Sequence, residues 1–582
     1  MPKAWEIRRY SAEDEGLAST LATQLGLYPA IGRLLVDRGI RSKEQAQDFF
    51  APTLEQLHDP LDKAVVRLNR AVEQDEHILI YGDYDVDGTT SVALLYRYLR
   101  SHCLSAEHLH YYIPDRYDEG YGITPTGVDH AASLGVSLII SVDTGIKAVK
   151  EIAYAQERGI DFIVCDHHTP DETLPSALAI LNPKRRDNRY PFTELSGCGV
   201  AFKLVQGLAQ HRGLPFETLL PLLELLVLSI AQDRVSILGE NRIFTYHGLQ
   251  QINTCPSVAI TYLMRLGKIQ PGRVDMASIY YELGPRINAA GRMAHGAESV
   301  KLLIAEDHET AEAQSQILDT YNRQRQDLDQ LVTRQAIELI EQEQGLLQQP
   351  ILILYRPEWN KGVMGIVAAR LADRYHRPVI ILSRSGNFLA GSGRSSGGFD
   401  LYQAIQSCSD CLENFGGHIF AAGLTIREDR LAEFRSRMEA YATGAEHGPQ
   451  RITPVLTIDA ELRPSDISRA LLRQIELLYP FGTDNERPLF LVRGMRDAGG
   501  SRPVGKAQQH LSLRMTDSYQ RIRPIHGFAL GLARYAPDIT RHCAFALCFE
   551  LEENNFYPQS FLQLRVKDLC LESELAERLE DK

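Results

Sequence analysis

Missing from the 582 residues is any long hydrophobic run: the densest stretch, Leu219 to Ile230, is broken by Pro221 and Glu224. It falls far short of the roughly 20 residues needed to span a bilayer, so no membrane span is expected. The N-terminus, MPKAWEIRRYSAEDEG, has neither the apolar stretch of a signal peptide nor the acid-poor character of a transit peptide, and the expected address is cytoplasmic. Cysteine is scarce: the nine present form an odd, irregularly spaced set, which argues against a disulfide framework and for reduced thiols. The one close pair, Cys408 and Cys411, has no second CxxC or His-x-x-x-His to complete a zinc shell. Positive charge is also short. A net charge of -13 sits badly with phosphate binding, which wants a basic surface. Local patches remain, NPKRRDNRY at Asn182 to Tyr190 and the set Arg493, Arg496, Arg502 and Lys506, although a solvated face is the competing reading of each.

With 44% apolar and 24% charged residues, a chain of this length exceeds one hydrophobic core, and three or four domains are expected. Residues 1–62 read as a small helical lead-in, since IGRLLVDRGIRSKEQAQDFF carries apolar residues at helical spacing. From His77 the pattern changes. ILIYGDYDVDG, LIISVDTGI and DFIVCDHH are short apolar runs ending in acidic or glycine-rich turns, separated by helix-length segments, which predicts a parallel α/β sheet over 63–300. Glycine and proline are absent from Glu306 to Gln344, predicting a connecting helix of about 50 to 60 Å within 301–346. A second α/β lobe is expected over 347–446, from ILILYRPEWN to ENFGGHIFAAGLTI. The tail, 451–582, with HLSLRM, IHGFALGL, FALCFEL and FLQLRVKDL, predicts a small β-barrel with one short helix near Leu471. No internal repeat or low-complexity tract stands out.

In open parallel sheets the ligand crevice lies at the carboxyl ends of the strands, which is where the polar clusters fall. Asp83, Asp85 and Asp87 sit at alternate positions of GDYDVDG, before a helix predicted to start at Thr89. Their mutual repulsion is costly unless cations lie between them. A calcium loop counted from Asp83 would need glutamate where Leu94 stands. Asp143 follows a second run, as a further ligand or merely a helix cap. Asp166, His167 and His168 follow a third; one imidazole can ligate an ion while the next touches a phosphoryl oxygen or moves a proton. Carboxylates and imidazole without thiolate suit Mn2+ or Mg2+, and the reaction class implied is two-metal hydrolysis of a phosphate ester.

Together GDYDVDG, SVDTG and CDHH resemble the DHH phosphoesterases. SGCGVAFKL, GENR, GPRINAAGRM, GVMGIVAARL, GSGRSS and FGGHIFAAGL, with PFG and LQLRVKD in the tail, are similar to the RecJ family of 5′-to-3′ single-strand DNA exonucleases of recombination and repair. The resemblance covers nearly the whole chain. It implies two ions held by Asp85, Asp87, Asp143, His167 and Asp233, with Asp83 and Asp166 in supporting catalytic roles and His168 beside the scissile phosphate. Asp233 rests on the resemblance alone, through its spacing to GENR. The second lobe looks like a DHHA1 domain, implying strand or 5′-phosphate contact by Ser392, Arg394, Ser395 and His418, with Arg286 and Arg292 facing them; a structural ion pair is the rival reading of each arginine. The tail resembles an OB-like domain, a fold that tracks single strands. Implied partners are single-stranded DNA, a helicase and a single-strand-binding protein, with the enzyme a monomer. Several positions depart from the family: Asn360 for histidine, Gln232 for a small residue, and Arg234 and Ser236 for apolar residue and proline. Arg234 is expected to pair with Asp233 and weaken its hold on metal. Two rivals stay open, a relative cutting very short oligonucleotides or cyclic dinucleotides and a catalytically silent scaffold; the terminal barrel argues against the first, the intact carboxylates and histidines against the second.

Overall fold

In the computed structural model, residues 3–58, 62–343, 345–395, 398–444, 455–519, 522–554 and 560–579 are described; the expected boundary between second lobe and tail, at 446–451, lies outside them. The first lobe is built on a five-stranded, all-parallel sheet in the order Leu109–Tyr112, Ile78–Gly82, Leu138–Val142, Asp161–Cys165, Ala179–Leu181. Strand residues alternate between faces, and both faces are covered. Ile78, Ile80, Leu138, Ile140 and Ile163 join one core with helices Val86–His102 and Gly197–His211. Leu79, Tyr81, Ile139, Phe162 and Val164 join another with helices Pro125–Ser133 and Val149–Glu157. This double cover is why the runs read as continuously apolar rather than alternating.

Helix His308–Gln342 fills the span predicted for the connector, about 52 Å at 1.5 Å per residue. Its two halves belong to different lobes. Ala311 and Leu318 pack into the first lobe's core, whereas Val332, Ala336 and Ile340 pack into the second's. Ion pairs tie it to both: Asp319 to Arg286 at 3.3 Å and Asp329 to Arg370 at 2.8 Å. The second lobe has a mixed sheet, order Leu412–His418, Ala421–Ile426, Phe388–Arg394, Val379–Ser385, Leu352–Tyr355, with only the last two strands parallel. Among the described residues no helix is long and apolar enough to cross a membrane.

The tail is a seven-stranded sheet, five strands of which close on themselves by pairing of Phe490–Asp497 with His510–Asp517, with Ala460–Glu461 and Arg502–Val504 added outside the ring and helix Arg469–Glu476 beside it. Closure removes sheet edges. The lead-in is not a separate unit: Ala18, Leu21, Ile31, Leu34 and Leu35 share a core with Leu471, Phe490, Leu513 and Phe549 of the barrel. Strand Ala4–Ile7 pairs in parallel with Val455–Ile458. Trp5, fully buried, donates to Asp568 Oδ2 at 3.0 Å, and Arg578 Nη1 donates to the same oxygen at 3.1 Å. The two ends of the chain are thus clasped at one buried carboxylate. Trp5→Ala removes the indole from a second barrel core, shared with Ile458, Leu491, Ala546 and Cys570, and is expected to cost about 3–5 kcal/mol; calorimetry should show the barrel's unfolding transition shifted down with the other lobes unmoved.

Candidate metal centre

Strands Ile78–Gly82, Leu138–Val142 and Asp161–Cys165 end in register, Gly82 opposite Val142 and Val142 opposite Cys165. The next residue in each case is an aspartate, Asp83, Asp143 or Asp166, so three carboxylates leave the sheet side by side. Asp143 adopts a left-handed backbone, φ 58°, a conformation that costs about 1–3 kcal/mol outside glycine. Its neighbour Gly197 must be glycine, since a Cβ there would lie 2.6 Å from the Asp143 Cβ. The helix after the first strand starts at Val86 rather than Thr89, because Asp85 caps it by accepting from Gly88 N at 3.0 Å. That puts Asp87 in the first turn. Its Oδ2 accepts from Gly197 N at 2.7 Å and its Oδ1 from Cys198 N at 2.8 Å, at the start of helix Gly197–His211.

His167 is the hub. Its Nε2 lies 3.1 Å from Asp143 Oδ1, 3.7 Å from Asp87 Oδ2 and 3.7 Å from Asp233 Oδ2, the last delivered by the end of helix Leu223–Asp233. Two donor sets result, Asp87–His167–Asp233 and Asp83–Asp85–Asp143, each with its ligand atoms within 4.8 Å of one another; Asp143, His167 and His168 form a third that links them. They sit at the base of an 860 Å³ cleft whose far wall is Gly391, Asn414 to His418 and Gly423 to Thr425 of the second lobe.

Comparison with known proteins agrees with this layout. The DHH family N-terminal domain matches residues 77–230, the DHHA1 domain 348–444 and the RecJ OB domain 458–568. Single-stranded-DNA-specific exonuclease RecJ of Bacillus subtilis is 35% identical over 97% of this chain and 71% of its own. The chain belongs to the RecJ family. Among solved structures, RecJ of Thermus thermophilus in complex with Mn2+ superposes with a TM-score of 0.82 at 27% identity, over 97% of this chain and 79% of that one. The same protein with Mg2+ gives 0.76 at 26%, over 97% and 78%.

Divalent ions suit the donors this RecJ-family chain presents. Asp83 Oδ1, Asp143 Oδ1 and both ring nitrogens of His167 are buried without a hydrogen-bond partner, an arrangement a protein tolerates poorly unless something else satisfies it. Asp83, Asp85 and Asp143 are held above the usual carboxylate range, first by burial and then by the charge of neighbouring aspartates. Asp233, whose side chain keeps 31% of its surface exposed, is pushed up to about 7 by partial burial and by Asp87 and Asp85. Burial drives His167 downward, toward the neutral form that offers a lone pair. His168 goes the other way, to about 9: burial opposes the charge, but a 2.8 Å hydrogen bond from Nδ1 to Asp166 and nearby carboxylates prevail.

Some expected residues are otherwise engaged. Asp166, expected in a supporting catalytic role, does line the cleft and holds His168: its oxygens accept from Ile146 N, His167 N, His168 N and His168 Nδ1. Burial alone would raise it, yet these donors hold it down to about 2. Arg286 does not line the cleft; Glu282, Asp319 and the Leu266 carbonyl occupy its guanidinium. The Ser395 hydroxyl is spent on the Phe399 carbonyl at 2.9 Å. Arg234 makes no pair with Asp233; a left-handed backbone turns it over the Tyr280 ring, 5.7 Å from the centroid. Gln232 donates to the carbonyls of Ile279 and Tyr280, and Asn360 caps helix Lys361–Tyr375.

Arg292 and Arg394 do not line that cleft either, Arg292 facing a neighbouring pocket with Tyr117 and Gln324, but they have company that motif spacing gives no sign of. Burial first, then the charges of Arg116, Arg325 and Arg394, push Arg292 down to about 10. Among the described residues no carboxylate pairs with Arg116, Arg292, Arg325 or Arg394, and Arg116 Nε is buried without a partner while its guanidinium covers Tyr84 at 4.0 Å. Arg394 Nη1 reaches Ser392 Oγ at 3.2 Å, in space that exists because residue 365 is glycine: a Cβ there would meet Arg394 Nη2 at 2.9 Å. His418 stands on the cleft wall.

Because Asp233 titrates near 7 when folded and near the ordinary carboxylate value when unfolded, the folded chain holds extra protons between those limits. Its contribution therefore falls as pH rises through that window, and ions must displace those protons to bind. The rise in thermal midpoint on adding Mn2+ should be larger at about pH 8 than at about pH 5.5; equal rises would contradict the assignment.

Proposed function

We propose that this chain is a single-stranded-DNA-specific exonuclease that hydrolyses phosphodiester bonds with two divalent cations, Mn2+ or Mg2+, beginning at the 5′ end. One observation carries the reading: crowded carboxylates sit at a cleft, and a cluster of guanidinium groups that no carboxylate among the described residues pairs lies close enough for Arg116 and Arg292 to feel the charge of Asp83 and Asp85. The first calls for cations and the second for anions. Asp87, His167 and Asp233 would hold one ion and Asp83, Asp85 and Asp143 the other. When bound, the ions supply Lewis acidity to activate water and to offset charge on the reacting phosphate. His168, kept protonated by Asp166, stands where it can donate to a phosphoryl oxygen. Arg116, Arg292 and Arg394, with Ser392, would take the terminal 5′ phosphate through charge-assisted hydrogen bonds, and His418 would touch the strand from the second lobe.

The remaining parts divide the work. Residues 63–300 would carry the chemistry, 301–346 fix the spacing of the lobes, 347–446 close the cleft, and 451–582 extend the grip, its described strands sharing a core with the lead-in helices. A groove between catalytic lobe and barrel, lined by Arg234, Tyr280, Tyr281, Phe481, Glu486, Arg487 and Glu550, offers stacking faces to a trailing strand. Tyr281 is 71% exposed there. An enzyme restricted to single strands needs a helicase to open duplexes and works on strands coated by a single-strand-binding protein.

Asp143→Ala should lower Mn2+-dependent digestion of a long single strand by about three orders of magnitude or more while the chain stays folded; retained activity sinks the proposal. Arg394→Ala should cost roughly 2 kcal/mol, a factor of about thirty, on strands with a 5′ phosphate, with little change on 5′-hydroxyl strands. A uniform loss on both would place Arg394 outside the terminal-phosphate contact.

A further inference from the structure

Asp87 differs from the other carboxylates of the centre in being nearly saturated with donors. A carboxylate offers about four lone-pair sites. On Oδ2, Gly197 N takes one at 2.7 Å; on Oδ1, Cys198 N takes one at 2.8 Å and Ser229 Oγ the other at 2.7 Å. What is left is one lone pair on Oδ2, the oxygen 3.7 Å from His167 Nε2. Without the hydroxyl, the carboxylate would keep one amide on each oxygen and be free to present either of them. Ser229 removes that choice.

The hydroxyl is itself constrained. Ser229 and Ser196 are both fully buried, with their oxygens 2.6 Å apart. A hydroxyl has one proton, and an ionised carboxylate can only accept. Ser229 therefore gives its proton to Asp87, and Ser196, which caps helix Gly197–His211 by accepting from Gly199 N, supplies the proton of the second contact. Ser229 also stands one turn before Asp233 on helix Leu223–Asp233. One short segment thus delivers a ligand and orients the ligand opposite it.

We propose that Ser229, backed by Ser196, is a positioning residue that makes Asp87 a one-oxygen ligand through Oδ2 and fixes its distance from Asp233 in the Asp87–His167–Asp233 cradle. The inference rests on the two-cation reading given above. Outer partners of this kind are worth about 10- to 100-fold in metal affinity.

The test is Mn2+ titration of the full-length chain by calorimetry and by electron paramagnetic resonance, with thermal unfolding of each metal-free variant alongside. Ser229→Ala should weaken one of two Mn2+ sites about 10-fold or more, and Ser229→Cys, similar in size but a poor donor, should fall between it and the parent. If Ser229→Ala does not fold, the cysteine variant alone is read in the same way. Isotherms matching the parent, with only the unfolding temperature lowered, would show a purely structural serine and overturn the inference while leaving the cation reading intact. A parent chain that binds no Mn2+ would overturn both.

Discussion

Like charges gathered in a dry place are the constraint on which this structure turns. Five aspartates and a neutral imidazole share the base of one cleft, and burial together with mutual repulsion lifts Asp83, Asp85, Asp143 and Asp233 above their ordinary range. Protein cations answer them only in part, through His168 and Arg116, while Arg116, Arg292, Arg325 and Arg394 crowd one another nearby. A site where crowded carboxylates give up their protons reluctantly and crowded guanidinium groups lie close by is matched to a polyanion together with divalent cations.

Such a site has to be held rigidly, and the surrounding architecture does so. Parallel register aligns three strand ends, helix starts supply the amides that grip Asp87, and a left-handed turn at Asp143 is wedged against Gly197. At longer range, one helix is sunk into the cores of both lobes, so the cleft between them is set by a continuous rod instead of a flexible linker. The clasp of the chain ends at Asp568 does the same for the barrel. Its buried ion pair is better understood as fixing geometry than as a source of stability, since desolvation offsets much of the attraction.

Much of this was legible in the residues. Apolar runs ending in acidic turns located the parallel sheet and its ligand edge, and a glycine- and proline-free stretch located the connecting helix. GDYDVDG, SVDTG and CDHH marked the strand ends that carry Asp85, Asp143 and His167. What sequence reasoning missed has a common cause. Arg116 lies in a loop with no motif around it, and Ser229 is one small residue on an apolar helix; each matters only for what lies across from it. Arg286 shows the converse, a residue of the right type in the right motif whose guanidinium is taken by Glu282, the Leu266 carbonyl and Asp319.

Local pattern alone determined the elements, their order and the chemical type of the centre, because alternation, helical period and turn residues act over a few positions and charge crowding within GDYDVDG is already a local fact. Tertiary structure alone decided which polar groups stay unsatisfied, that the lead-in and the tail form one body, and which arginines remain unpaired. Hydrogen-bond satisfaction and burial are sums over neighbours brought together by folding, and no stretch of sequence contains that sum.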